Sequence, residues 1–143
     1  MPTDYATIIN RTIPITKTDD EKRLIYGIVY EPEIVDSQNE WGGLTAIEEA
    51  CHKFMERYNR ARALKFMHDK NLKEEAVIVE CYIMPQDGQI GDQQVRKGTW
   101  ILVTKIYDDE LWSKVKSGEI AGYSMGGHAR GREGEPTTIR SVA

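Results

Sequence analysis

The chain of 143 residues carries 23 acidic and 19 basic residues, which gives a net charge of -4. This balance leaves no broad basic surface and argues against a nucleic-acid partner. No apolar run approaches the roughly 20 residues of a membrane span, and the N-terminus lacks the basic and apolar regions of a signal peptide. We therefore expect one cytosolic domain over residues 1–143, large enough to bury a core and without membrane contact.

Cys51 and Cys81 are far apart in the sequence and lie among apolar neighbours. We expect two buried thiols rather than a disulfide or a metal pair. Three histidines without a cysteine cluster argue against a zinc site, and nothing in the sequence implies a cofactor. His52 is expected to face solvent from a helix, because adjacent helical residues point about 100° apart.

The chain contains several strand-like runs, most of them rich in β-branched or aromatic residues. They cover residues 5–15, 23–30, 63–67, 76–84, 99–107, 120–128 and 137–142. The run 76–84 has one apolar face, expected to be buried, and one mixed face, whereas the run 99–107 carries apolar residues on both faces and is expected to be largely covered on both sides. Residues 32–43 and 85–98 are predicted to form polar loops, and loops this long are often functional.

Two helices are predicted between these runs. Thr45 and Glu48 form a capping box, and apolar residues follow at helical spacing, so the first helix should continue to about Arg60. The second should begin after Asp108 and stop at Gly118. Helices alternate with strands too rarely for a doubly wound parallel sheet. We expect a mainly β domain with peripheral helices (α+β) and a mostly antiparallel sheet of about seven strands.

One candidate nucleophile lies near the end of the chain. Residues 122–126, Gly-Tyr-Ser-Met-Gly, match the G-x-S-x-G elbow of α/β-hydrolases, but that fold needs an acid and a histidine after the serine, and only His128 follows. A catalytic pair in which the base, His68, precedes the nucleophile, Ser124, in the sequence is possible if the two residues lie on separate strands that meet in space. Ser124 is expected to present an exposed hydroxyl. An ordinary strand serine and a surface histidine fit the same pattern.

Gly126 and Gly127 lie two and three residues after Ser124. They can let a substrate backbone come close, or supply amide donors to a tetrahedral oxyanion. A β-bulge explains the same glycines, and the sequence leaves both interpretations open.

Several stretches between residues 20 and 130 together carry a resemblance to a known family. They include 24–32 (Leu-Ile-Tyr-Gly-Ile-Val-Tyr-Glu-Pro), 66–68 (Phe-Met-His), 97–100 (Lys-Gly-Thr-Trp) and 118–127 (Gly-Glu-Ile-Ala-Gly-Tyr-Ser-Met-Gly-Gly). In this order they resemble the XkdF-like phage serine proteases, relatives of the phage prohead proteases and more distantly of the herpesvirus assemblins. The resemblance is more specific than any single motif.

The resemblance implies an assemblin-like β-barrel that acts as a head-maturation endopeptidase on scaffold or capsid proteins. It implies Ser124 as the nucleophile and His68 as the general base. It also implies activity inside the assembling prohead in the bacterial cytoplasm, a homodimer as one route to activation, and a further C-terminal region in related proteases. The rival hypotheses are a non-catalytic capsid-assembly module of the same fold and a serine esterase.

The third catalytic residue is left open by the sequence. Glu133 is the first candidate and Glu135 the second, with Asp69 and Glu80 as further options, and a Ser-His dyad is an alternative. His128 is expected to lie on the same strand as Ser124, where four residues span about 13 Å, and to be unable to reach behind His68 as the third residue must. Arg130, or else Arg132, is a candidate for orienting an oxyanion-binding loop or the substrate.

Overall fold

The computed structural model describes residues 11–32, 44–68, 76–125, 128–131 and 136–138. Within these ranges the chain forms nine strands and two helices. The strands are β1 (Ile13–Asp19), β2 (Leu24–Tyr30), β3 (Ala76–Ile83), β4 (Gly88–Ile90), β5 (Gln93–Val95), β6 (Trp100–Ile106), β7 (Ile120–Tyr123), β8 (His128–Gly131) and β9 (Pro136–Thr138). The helices are α1 (Leu44–His68) and α2 (Asp109–Lys116). The prediction of a mainly β fold with a few helices is confirmed.

Seven of the strands form one antiparallel sheet in the order β3-β6-β2-β1-β7-β8-β9, and β4 pairs with β5 in a separate hairpin. Among the described residues no ladder joins β3 to β9, so the sheet is open there. A closed barrel, which the family resemblance implies, is therefore not found in this part of the chain.

Both helices pack on one face of this sheet. The side of α1 that faces the sheet carries Ile47, Cys51, Phe54 and Tyr58, all of them buried as the helical spacing predicts. The Phe54 ring lies 5.9 Å from that of Trp100 on β6, centroid to centroid. Burial of several large side chains in this way supplies most of the favourable free energy that holds α1 on the sheet.

The second helix begins as its sequence predicts. The Asp108 carboxylate accepts a hydrogen bond from the backbone N–H of Leu111 at 2.8 Å, which satisfies one of the free donors of the first turn. Leu111, Trp112 and Val115 are buried, so α2 presents one apolar side to the sheet. The helix ends at Lys116, two residues before Gly118, as predicted.

The opposite face of the sheet carries a second, smaller core. It consists of Leu24, Met84, Ile90, Val95, Ile101 and Val103. Two of these residues come from the β4–β5 hairpin, which therefore covers this face, and the prediction that both faces of 99–107 are buried is confirmed. The prediction that 85–98 is only a polar loop is wrong. Gly91, with a φ of 60°, makes the two-residue turn that pairs β4 with β5.

Three other predicted boundaries differ from the structure. Residues 63–67 are helical, not a strand, because no Gly or Pro interrupts the chain between Leu44 and His68, and α1 therefore continues past Arg60. The run 120–128 is divided between β7 and β8. Within the described residues, the strand predicted over 5–15 begins at Ile13. The structure does not describe the first residues of that run, most of the predicted 32–43 loop or residues 139–142.

Candidate active site

Ser124 directly follows a strand that is held by hydrogen-bonded ladders on both of its sides. On one side Tyr123 pairs with Ile13 of β1, and on the other it pairs with Ala129 of β8. Gly122 pairs in the same two directions, with Pro14 and with Arg130. A residue at the end of such a doubly paired strand has a well-defined backbone position, which a catalytic nucleophile requires.

Gly122 has a steric role beside this serine. A Cβ at this position would lie 2.9 Å from the Ile13 carbonyl oxygen and 3.3 Å from Cγ2 of Thr12. The first of these neighbours is backbone and cannot move without displacing β1. The glycine that precedes the candidate serine is thus explained by the close approach of β7 to β1, and this explanation is independent of any elbow motif.

The Ser124 side chain is completely buried, at 0% exposure, and so is the following Met125. The prediction of an exposed hydroxyl is therefore wrong for this structure. Met125 belongs to the main core, so the chain turns inward directly after β7. With Ser124 at 0% exposure, a peptide carbonyl in solvent does not reach its Oγ in this structure.

Tyr123 anchors the same strand inside the core. Its side chain is 1% exposed, and its hydroxyl accepts a long hydrogen bond of 3.5 Å from the Thr104 hydroxyl on β6. Burial raises the pKa of Tyr123, so the phenol stays neutral over the physiological range and acts as an anchor rather than as a base.

His68 is the last residue of α1. The expectation that it lies on a strand adjacent to that of Ser124 is wrong, because the apolar run before it continues the helix. The first half of α1 packs on β3 and β6, and its last turn leads to His68. The imidazole is therefore attached to a helix end.

His128 is in a different place from the one that the sequence suggests. It is the first residue of β8, on the strand next to β7, and not four residues along the same strand. The β7–β8 ladder ends at the Tyr123–Ala129 pair, and its continuation by one pair would set His128 opposite Ser124. The argument that a straight strand separates the two residues by about 13 Å therefore no longer applies.

The remaining predicted site residues fall into two groups. Arg130 lies on β8, where it pairs with Gly122 and Pro136, and Glu80 is an exposed residue of β3. The others lie outside the described residues: Gly126, Gly127, Glu133, Asp69, Arg132 and Glu135.

Metal-binding side chains do not cluster in the described ranges, where no group of three or more His, Cys, Asp or Glu residues could hold an ion. Neither α1 nor α2, the helices of the described chain, combines the length and apolar character that crossing a membrane requires.

The chain matches the family model described as "Putative phage serine protease XkdF" over residues 12–133, a segment that includes both Ser124 and His68. It is 41% identical over 122 residues to the phage-like element PBSX protein XkdF of Bacillus subtilis strain 168. The aligned region covers 85% of this chain and 42% of that protein. The chain is also 40% identical over 115 residues to the uncharacterized protein YqbD of the same strain, covering 80% of this chain and 34% of YqbD. The chain thus spans less than half the length of these two relatives. No solved structure gives a significant match.

Proposed function

Because the chain belongs to the family of XkdF-like phage serine proteases, we propose that it is the proteolytic domain of a head-maturation endopeptidase. Its substrates are scaffold or capsid proteins, and it acts inside the assembling prohead in the bacterial cytoplasm. The observation that carries the proposal is the position of Ser124, at the end of a strand paired on both sides and within the matched segment.

In the proposed reaction the Ser124 Oγ attacks a peptide carbonyl while His68 takes the hydroxyl proton. The same imidazole then returns this proton to the leaving amine, and water hydrolyses the acyl-enzyme by the reverse sequence. The amides of Gly126 and Gly127 are the proposed donors to the tetrahedral oxyanion, and Arg130 is proposed to hold the substrate. The acyl transfer needs no cofactor.

Two residues compete for the third position of the proposed site. Glu133 follows from the family resemblance, while His128 is favoured because it begins β8, the strand that pairs with β7 up to Tyr123. A third residue would orient the His68 imidazole and stabilise its charged form. Substitution of the residue that holds the third position, Glu133 or His128, should lower turnover, and substitution of the other residue should leave turnover unaltered.

The burial of Ser124 supports a latent resting form. We propose that the site opens when the segment after β7 rearranges, either on contact with a second copy or on contact with the assembling head. A protease that acts once during assembly needs such a silent state. The rate of substrate cleavage should then rise more steeply than in direct proportion to the enzyme concentration.

The burial of Ser124 also favours a second candidate, a non-catalytic assembly module that keeps the fold. Co-expression with the capsid and scaffold proteins of the same phage separates the two functions. The protease predicts cleaved head proteins with the wild-type chain and intact ones with Ser124→Ala, at equal expression of both chains. Intact head proteins in assembled particles with both chains would support the module. Cleavage by the Ser124→Ala variant would overturn the proposed nucleophile.

A further inference from the structure

Cys51 and Cys81 are in contact, although thirty residues separate them in the sequence. Their Sγ atoms lie 3.6 Å apart, with Cys51 on α1 and Cys81 on β3, and both are free thiols. The prediction of two free thiols is confirmed, that of burial holds for Cys51 and only in part for Cys81, and the sequence gives no sign that they meet. Neither residue belongs to the proposed proteolytic site.

We propose that Cys51 and Cys81 form a reversible redox site, which hydrogen peroxide converts into a disulfide that joins α1 to β3. Three observations support it: the contact between the sulfur atoms, the different exposure of the two thiols, and a third hydrogen-bonding group beside one of them. The inference does not depend on the proteolytic function.

The two thiols are not equivalent. Cys51 is 1% exposed, whereas Cys81 is only half-buried, so a small oxidant reaches Cys81 first. The indole N–H of the buried Trp100 donates to the Cys81 Sγ at 3.2 Å. The Cys51 thiol and this indole both stabilise a Cys81 thiolate, and their hydrogen bonds lower the pKa of Cys81 against the opposing effect of burial.

The pKa of Cys51 shifts in the opposite direction. Its hydrogen bond to Cys81 raises this pKa, and burial and the nearby Glu48 carboxylate raise it further. Cys51 therefore keeps its proton, while Cys81 is the attacking sulfur. This division of roles is that of a peroxide-reactive cysteine beside its resolving partner.

The reaction has two balanced steps. The Cys81 thiolate attacks one oxygen of hydrogen peroxide, the O–O bond breaks, and the sulfur becomes a sulfenic acid while hydroxide leaves and is protonated to water. The Cys51 sulfur then attacks the Cys81 sulfur, so that an S–S bond forms, the S–O bond breaks, and water leaves with the thiol proton. The two cysteines lose two electrons to the peroxide.

The geometry permits this closure with little movement. The sulfur atoms lie 3.6 Å apart and must approach by roughly 1.5 Å to reach the ~2.05 Å of a disulfide bond. Cys81 packs against the main core, so bulky disulfides such as oxidised glutathione have poor access. A small peroxide is therefore the oxidant that fits the site.

The test treats the full chain with a stoichiometric amount of hydrogen peroxide and follows its intact mass. We expect the loss of two hydrogens, one cross-linked peptide pair containing Cys51 and Cys81, and complete reversal by dithiothreitol. The melting temperature should rise by roughly 10 °C in the oxidised form, because the bond closes a loop of about 30 residues in the unfolded chain. Oxidised glutathione should react far more slowly.

Two matched variants test the assignment of the attacking sulfur. In Cys51→Ala, Cys81 keeps the hydrogen bond from Trp100 and its greater exposure, so a sulfenic-acid trap should label it faster than it labels Cys51 in Cys81→Ala. In urea the two variants should react at equal rates, because the asymmetry comes from the fold. Equal rates in the native state would overturn the assignment. Thiols that stay reduced in the native wild type, or cross-links only between chains, would overturn the redox site itself.

Discussion

Ile13 and Tyr123 pair in the β1–β7 ladder, and both side chains are almost completely buried. Tyr123 is the residue before Ser124, so the packing of this pair fixes the backbone from which the serine projects. The proposed site therefore depends on contacts in the core as much as on the serine itself. Changes that separate β7 from β1 should lower both stability and turnover.

Gly122→Ala tests this dependence. The added Cβ would meet the Ile13 carbonyl oxygen at 2.9 Å, so the two strands must separate. We expect a loss of about 1–3 kcal/mol in the free energy of unfolding, measured by urea denaturation. Ala121→Ser on the exposed side of the same strand is the control and should stay within about 0.5 kcal/mol of wild type. A neutral Gly122→Ala would show that β7 is not held as described.

Tyr58→Phe tests the attachment of α1 to the sheet. The backbone N–H of Ile78 on β3 donates to the Tyr58 hydroxyl at 3.2 Å in a buried place. Removing the hydroxyl leaves this N–H without that acceptor, which should cost about 1–3 kcal/mol of stability. Tyr107→Phe removes a hydroxyl from a residue that is 53% exposed and should change stability by less than ~0.5 kcal/mol. Equal effects of the two variants would contradict the buried hydrogen bond.

Asp108→Ala and Asp109→Asn separate a helix cap from a surface ion pair. Asp108 caps α2, and its loss should cost about 1 kcal/mol. Asp109 lies 2.8 Å from Arg23, but the side chains of Arg23 and Asp109 are 36% and 90% exposed, so Asp109→Asn should cost less than ~0.5 kcal/mol. The effect of Asp109→Asn on stability should vanish in 1 M salt, where the Debye length is about 3 Å. A larger loss from Asp109→Asn would reverse this ranking.

His68→Ala tests the proposed general base. It should lower the rate of head-protein cleavage by about 10²-fold or more, because the serine hydroxyl loses its proton acceptor. His52→Ala changes an exposed histidine of the same helix and should leave the rate unaltered. Both variants should keep the wild-type melting temperature within a few degrees. Full activity of His68→Ala would exclude this residue as the base.

His128→Asn and Glu133→Gln distinguish the two candidates for the third position. The correct residue should lower the cleavage rate while leaving the amount of assembled particle unchanged. We expect the larger effect from His128→Asn, because His128 begins the strand beside β7 and a continued β7–β8 ladder would set it opposite Ser124. Full activity of both variants would indicate a dyad and remove His128 from the proposed site.

The sequence predicts well the elements whose pattern is local. The bounds of β2, β3 and β6 differ from the predicted runs by one residue at most. Apolar residues fill both faces of β2 and β6, which lie inside the sheet, and the edge strand β3 carries an alternating apolar run. The start of α2 follows from its Asp108 cap. These signals need no knowledge of the rest of the chain.

The failures occur where a short apolar run fits two structures. Residues 63–67 suit a strand or a helix equally, and continuity with α1 decides between them. In the β4–β5 hairpin, the pair Gly91–Asp92 is the missed signal, since a glycine followed by aspartate is typical of a two-residue turn. The contact between Cys51 and Cys81 depends on the packing of α1 on β3, which no local pattern reveals.

Covalent labelling of Ser124 tests the central claim most directly. Particles assembled from the head proteins and this chain would be treated with a fluorophosphonate, and the adduct would be mapped by peptide mass spectrometry. The proposal predicts one adduct, on Ser124, that blocks cleavage and is absent from Ser124→Ala and reduced in His68→Ala. Cleavage that continues without an adduct on Ser124, or an adduct that maps to another residue, would contradict it.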